Sequence, residues 1–219
     1  MAQAMVESAF TAPHVTEFLT VDVTAGMEFL EKLRSQKEFA GVKITPLTLA
    51  AKAVNLAIGR YPTLNSHWDE ARQEVVSFKY VNLGIAAATP RGLLVPNIKD
   101  AQDLGLRELA AALGELTETA RSGKTTPANL AGGTFSITNI GVFGIDAGTP
   151  ILNPGEAGIL ALGAVRRTPW EYQGQVALRQ VMTLSLSFDH RLVDGEQGSR
   201  FLADIGAIMS DPAMALVLR

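Results

Sequence analysis

Near the end of the chain an alternating run, Thr183-Leu184-Ser185-Leu186-Ser187-Phe188, stops at Asp189-His190-Arg191-Leu192-Val193-Asp194-Gly195. An imidazole ionises near pH ~6.5, so one held in place can take a proton from a thiol or hydroxyl at neutral pH and hand it on. Alternation reads as a half-buried strand, and a strand ending at His190 fixes where that imidazole points. Asp194 follows one helical turn later, where a carboxylate can orient the site. The other two histidines have ordinary settings. His14 follows a proline at a strand start, and His67 lies in the polar stretch Asn65-Ser66-His67-Trp68-Asp69, read as a loop.

Other chemistries fall away on composition and spacing. Ser185 and Ser187 beside Asp189 and His190 suggest a hydrolase triad, but strand neighbours point to alternating faces and no Gly-x-Ser-x-Gly elbow is present. Asn139-Ile140-Gly141-Val142-Phe143-Gly144 lacks the spacing of a dinucleotide-binding loop. Cysteine is absent, which excludes disulfides, a thiolate nucleophile and cysteine-ligated metal, and no metal-ligand set emerges otherwise. With 19 basic and 22 acidic residues the formal charge is −3, so no global positive field holds nucleic acid and an anionic ligand must be bound locally. No apolar run approaches the ~18 residues that span a bilayer, and the amino terminus has no basic segment followed by an apolar core. The expectation is a cytosolic protein without a membrane span.

The elements that must position His190 follow from pattern. Of 219 residues, 47% are hydrophobic, enough for one sizeable core in a single domain spanning 1–219. Residues 1–8 look like the end of a helix whose start is missing, as in a piece excised from a longer chain. Residues 14–23 alternate as a strand, and Thr24 is placed to cap a helix through Arg34. Pro46 opens a helix over 47–60 that is apolar nearly all round, so it should be buried. Strands are expected at 74–78, 81–89 and 93–98, the last two joined by Pro90-Arg91-Gly92 as a hairpin. A helix over 104–121 precedes strands at 132–138 and 158–163, which flank a long glycine- and proline-rich loop. Strand 176–188 and a helix over 195–209, with Phe201, Leu202 and Ile205 inward, complete the chain.

The tip motif Asp189-His190-Arg191-Leu192-Val193-Asp194-Gly195 resembles the signature of the catalytic domain of the dihydrolipoamide acyltransferases of 2-oxo acid dehydrogenase complexes, relatives of chloramphenicol acetyltransferase. Similarity continues in order through Pro13-His14-Val15-Thr16, Pro62-Thr63-Leu64-Asn65, Asn82-Leu83-Gly84-Ile85-Ala86, Gly92-Leu93-Leu94-Val95-Pro96, Gly132-Gly133-Thr134-Phe135 and Ile151-Leu152-Asn153-Pro154. The resemblance implies an α/β (α+β) fold with helices packed on a mixed sheet, and a homotrimer with active sites between subunits. It implies further that trimers build a larger cubic or dodecahedral core, working with a decarboxylase and a dihydrolipoamide dehydrogenase, and that lipoyl and subunit-binding domains lie elsewhere in a longer chain.

The implied reaction moves an acyl group between the thiol of a lipoyl arm and the thiol of coenzyme A, with no acyl-enzyme. A free thiol of pKa near ~8.5 is only a few per cent thiolate at neutral pH, so a base such as His190 is worth ~100- to 10,000-fold. The resemblance places a hydroxyl donor to the developing oxyanion at Thr138, in Ser136-Ile137-Thr138-Asn139, where many members have serine, and an orienting role at Asp194. Threonine keeps the hydroxyl on a stiffer χ1. For coenzyme A the resemblance points to Arg34, Thr45 and Asn139, while alanine at position 88 stands where relatives commonly have an aspartate. Arg121 and Lys124 read as a solvated helix end. The segment Phe143-Gly144-Ile145-Asp146-Ala147-Gly148-Thr149-Pro150 leans towards a branched-chain acyl group. Two rival readings are a non-catalytic scaffold subunit and a free-standing small-molecule acetyltransferase.

Overall fold

A computed structural model describes residues 2–89 and 92–218. In chain order the elements are α1 (Ala2–Thr11), β1 (His14–Asp22), α2 (Thr24–Arg34), α3 (Pro46–Arg60), β2 (Ser66–Asp69), β3 (Glu74–Ser77), β4 (Leu83–Ile85), β5 (Ala87–Thr89), β6 (Gly92–Leu94) and β7 (Asn97–Ile98). They continue with α4 (Leu106–Arg121), α5 (Pro127–Leu130), β8 (Phe135–Asn139), β9 (Gly158–Leu162), β10 (Arg166–Tyr172), β11 (Gln175–Asp189) and α6 (Gly195–Ser210). The main sheet runs β1-β11-β9-β8-β4-β7, with β10 also paired to β11. It is mixed: β8 lies parallel to β4 and β9, and the other pairings are antiparallel. This is the helix-on-mixed-sheet architecture expected from the sequence.

Alternation sorts the central strands into two unlike faces. Register puts Phe135, Ile137, Leu160, Leu162, Leu184, Leu186 and Phe188 on one face, where all are buried. They join Phe201, Leu202 and Ile205 of α6 and the apolar flank of α3 in the main core. At ~1.5–3 kcal/mol for each large side chain fully buried, this face is what holds helices to sheet. The opposite face carries the hydroxyls of Ser136, Thr138, Ser185 and Ser187 around Ile159 and Ala161 of the central strand. The segment from 148 to 157 crosses it as a strap: the backbone N–H of Leu152 donates to His14 Nε2 at 3.0 Å, and Asn153 Nδ2 donates to Ser136 Oγ at 2.8 Å.

The sequence expectations fail in four places, each for a physical reason. The 65–69 stretch is no loop, since β2 pairs with β3 and carries His67 opposite Val76. Thr24 is the first residue of α2 and does not cap it: its hydroxyl donates to Asp22 Oδ1 at 2.6 Å and accepts from the Gln180 N–H at 2.9 Å. The 81–89 and 93–98 strands each split, although one register runs through β4–β7 and β5–β6. Pro96 has no N–H to donate, and the Ala86 N–H turns to Ile137 O on β8. The Pro90-Arg91 part of the expected turn lies outside the described residues. Finally, β10 is a strand the pattern gave no sign of. Its Pro169 sits in the sheet at an edge, and Gln173 and Gly174 close the hairpin with positive φ at both turn positions.

Candidate active site

The strand tip is held from three sides. The Asp189 N–H donates to Ala157 O at 3.0 Å and the His190 N–H to Pro13 O at 3.0 Å, so β9 and the lead-in to β1 clamp the two residues. The buried Asp189 carboxylate takes two donors from the Arg191 guanidinium, at 2.7 Å to Nη2 and 3.0 Å to Nε, and also accepts from the Arg191 N–H. That pair keeps the guanidinium protonated and ties the turn into a ring. The His190 side chain, by contrast, is exposed, with its ring 6.0 Å from that of Phe188. Asp189 and Arg191 are the structural residues that spacing alone did not pick out, and the alternation of charged residues around His190 was the available signal.

Asp194 is the N-cap of α6, its Oδ1 accepting from the Gln197 N–H at 2.8 Å. A carboxylate there satisfies an otherwise unpaired donor and lies at the positive end of a helix that begins five residues past His190. The other histidines are explained by hydrogen bonding. His14 is bracketed by Ala12 O at Nδ1 and the Leu152 N–H at Nε2, so its ring joins the start of β1 to the strap. His67 Nδ1 reaches Gly155 O at 3.2 Å. Ser185 and Ser187 are fully buried, and the Ser187 hydroxyl is paired with Thr16 at 2.7 Å, which removes the hydrolase triad.

Thr138 is half-buried on β8, away from His190's end of the sheet. Its row across the strands is Thr138, Ala161, Ser185, and His190 lies five residues further along β11. That offset amounts to about 16 Å along the strands and about 10 Å across them. One chain therefore does not bring the two together. Arg34 and Thr45 belong to the Thr138 end. Arg34 Nε donates to Ile44 O at 3.2 Å, next to Thr45, and Thr45 caps α3 in a box with Thr48. The other end of α3 meets the start of α6, where Thr63 donates to Gln197 and Tyr61 packs on Phe201. Asn139 adjoins Thr138 as the last residue of β8, half-buried. The six candidates thus divide: Arg34, Thr45, Thr138 and Asn139 at one sheet end, His190 and Asp194 at the other. Ala88 lies on β5, exposed, in the hairpin with β6.

A cleft of ≈ 740 Å³ opens beside the strand tip and is lined by Asp189, Arg191, Glu156, Asn153, Trp68 and Glu70, among others, but not by His190. The imidazole does not work into that cleft within one chain.

A mixed sheet covered by helices, with a clamped histidine at one strand tip and a hydroxyl two strands away, is the arrangement of an acyltransferase catalytic domain. Residues 1–217 match the family model of the 2-oxoacid dehydrogenases acyltransferase catalytic domain, and the chain belongs to that family. It is 37% identical over 217 residues to the dihydrolipoyllysine-residue acetyltransferase component of the pyruvate dehydrogenase complex of Bacillus subtilis strain 168, covering 99% of this chain and 49% of that one. The chain spans about half the length of the curated relatives it matches. Among solved structures it resembles the Azotobacter vinelandii dihydrolipoamide acetyltransferase, with a TM-score of 0.92, 36% identity and coverage of 98% of this chain and 88% of that one. That structure concerns the role of a serine, a histidine and an asparagine in the catalytic mechanism. The cubic core of a pyruvate dehydrogenase multienzyme complex gives 0.92, 35%, 98% and 88%. Chloramphenicol acetyltransferase, at 11% identity and a TM-score of 0.61 with 94% of both chains covered, shares the fold alone.

Proposed function

We propose that this chain transfers an acetyl group between coenzyme A and a dihydrolipoyl thiol, with His190 of one copy and Thr138 of a neighbouring copy forming each site. The observation that carries the reading is a spacing. The serine, histidine and asparagine of the Azotobacter protein stand at the same intervals as Thr138, His190 and Asp194 do here. The strand register supports the two-copy site, since the hydroxyl and the imidazole sit at opposite ends of one sheet. A closed ring of copies, each offering its histidine end to the next copy's threonine end, satisfies both facts, and a trimer is the smallest ring beyond a dimer.

The chemistry then follows from the residues. His190 accepts the proton of the attacking thiol, and the sulfur adds to the thioester carbonyl. The Thr138 hydroxyl donates to the oxyanion, which strengthens as charge develops. Collapse breaks the old carbon–sulfur bond, and the imidazolium returns its proton to the departing thiolate. Arg34, Thr45 and Asn139 bind coenzyme A at the threonine end, through donors suited to phosphate and amide groups. The lipoyl arm arrives on a separate domain, and the decarboxylase and dihydrolipoamide dehydrogenase components are partners of the larger assembly, as is a core built from trimers. Acetyl is preferred to a branched-chain group because the relatives at 35–38% identity are acetyltransferase components. The 143–150 segment behind the branched-chain expectation is mostly exposed in a single chain, and a methylene difference is worth only ~1–3 kcal/mol of selectivity.

A mixing experiment tests the reading. His190→Ala and Thr138→Ala are each expected to be strongly impaired alone in acetyl transfer from acetyl-coenzyme A to dihydrolipoamide. Co-expressed at equal levels, they should recover activity in about a quarter of sites, those pairing an intact histidine with an intact threonine. No recovery would place both groups in one chain. A panel of acyl-coenzyme A thioesters separates acetyl from branched-chain transfer, and inertness towards all of them would favour the scaffold reading.

A further inference from the structure

Glu156 and Asp189 are buried carboxyl groups that the reaction above does not use, and only Asp189 is paired with an arginine. Glu156 is 8% exposed, at the end of the strap and just before β9. Asn153 Nδ2 donates to its Oε2 at 3.2 Å and also to Ser136 Oγ at 2.8 Å, and the Ser136 hydroxyl bonds the same carboxyl. No cation pairs with it among the described residues. The room for this cluster is made by glycine: a Cβ on Gly133 would stand 2.9 Å from Glu156 Oε1, and one on Gly84 would stand 2.4 Å from Ser136 Oγ. Burying a carboxyl without a cation costs stability unless its hydrogen bonds hold something in place.

What lies next to it is the strand tip. Glu156 is followed by Ala157, whose carbonyl receives the Asp189 N–H, and Asp189 precedes His190. The strap reaches this point from the threonine end, where the Gly148 N–H meets Ser185 Oγ at 3.5 Å. We propose that Glu156 is a positioning residue for acyl transfer: its carboxyl, bound by Ser136 and Asn153, pins the strap so that Ala157 holds the tip that aims His190. The inference rests on the reading of His190 as the base.

Burial raises the Glu156 pKa to about 7 against the opposing hydrogen bonds from Ser136 and Asn153. A raised pKa means that the strap is held best with the carboxyl protonated, and that the hold weakens as pH rises through 7. The cleft around it presents the carboxylates of Glu7, Asp69, Glu70 and Asp189, with Arg191 bound to Asp189, and His67. On the far side, Lys99 Nζ donates to Ala131 O and stands near Gly132.

The test uses the assembled enzyme, with Glu156→Ala, Glu156→Gln and Asn153→Ala. Amide hydrogen exchange at Asp189 and His190 reports the tip, and kcat and KM report the reaction. For Glu156→Ala we expect tip protection and kcat both to fall at least tenfold, with KM within twofold. Glu156→Gln, which still accepts from Asn153, should restore both at pH 6 and remove the loss of tip protection that wild type shows between pH 6 and pH 8. Asn153→Ala, which keeps the carboxyl but removes its amide partner, should give a smaller loss in the same direction, and it carries the test if Glu156→Ala does not assemble. Wild-type protection and kcat in the alanine variants would overturn the proposal, as would a glutamine variant as impaired as the alanine one. A wild type inert towards acetyl-coenzyme A and dihydrolipoamide would instead sink the assignment of His190, while the exchange data would still decide what holds the tip.

Discussion

The two ends of the central sheet are built to different rules. At the histidine end, the backbone is clamped by Ala157 and Pro13, Asp189 is buried in a bidentate pair with Arg191, and only the imidazole is left exposed. At the threonine end, the hydroxyl is set inside a strand and half-buried, and the chain beyond it turns into a loop with Val142 and Phe143 about 70% exposed. One end presents a single aimed group on a rigid support. The other offers a recessed hydroxyl, apolar surface and the Arg34–Thr45 corner. A group that removes a proton must project towards its substrate, whereas a group that stabilises an oxyanion must be fixed before the charge appears. On the proposed reading, each end suits one half of the reaction.

The largest expected effect comes from emptying the projecting end. His190→Ala should lower kcat for acetyl transfer about 100- to 10,000-fold, with oligomer size by sedimentation unchanged. A wild-type rate would mean that the tip is only structural. Next comes the recessed end: Thr138→Ala should raise the barrier by about 2–4 kcal/mol in kcat with KM nearly constant, while Thr138→Ser keeps the donor and most of the rate. If KM changed and kcat did not, the threonine would be a binding group and the contrast between the ends would lose its chemical meaning.

How far this contrast could be read from sequence depends on whether a feature is local. The tip was legible because alternation, a histidine and a helix start follow one another within thirteen residues. The buried α3 was legible for the same reason, since apolar residues all round a helix need no partner to be recognised. The distance between Thr138 and His190 was not legible, because it depends on which residue of β8 pairs with which of β9, and that register is a long-range fact. Strand β10 was hidden by Pro169, since a proline within a run argues against a strand except at a sheet edge. Glu156 gave no signal at all. After Asn153-Pro154-Gly155 it reads as one more loop charge, and only the glycine-made space beside Ser136 buries it.

A smaller effect tests whether the support at the histidine end is separable from the chemistry. Asp189→Ala removes a buried acceptor and leaves Arg191, 29% of whose side chain is accessible, with the exposed Glu70 carboxylate at 3.7 Å. The expected loss is about 1–3 kcal/mol of stability, read as a lower denaturant midpoint, with a drop in kcat that follows from a looser tip. Unchanged stability would show that the backbone clamps suffice without the ion pair.

The smallest effect distinguishes two jobs of Asp194. As the N-cap of α6 it accepts from the Gln197 N–H, and as a carboxylate four residues past His190 it can orient the site. Alanine removes both, whereas asparagine caps about as well as aspartate and removes only the charge. Asp194→Ala should therefore cost about 1 kcal/mol of stability, by the loss of one cap. Asp194→Asn should hold stability to within about 0.3–1 kcal/mol, the worth of a charge at a helix N-terminus. The Azotobacter relative carries an asparagine at the matching interval, so the asparagine variant should stay active. If Asp194→Asn were as inactive as His190→Ala, the carboxylate itself would be part of the proton transfer, and the histidine end would hold two reacting groups instead of one.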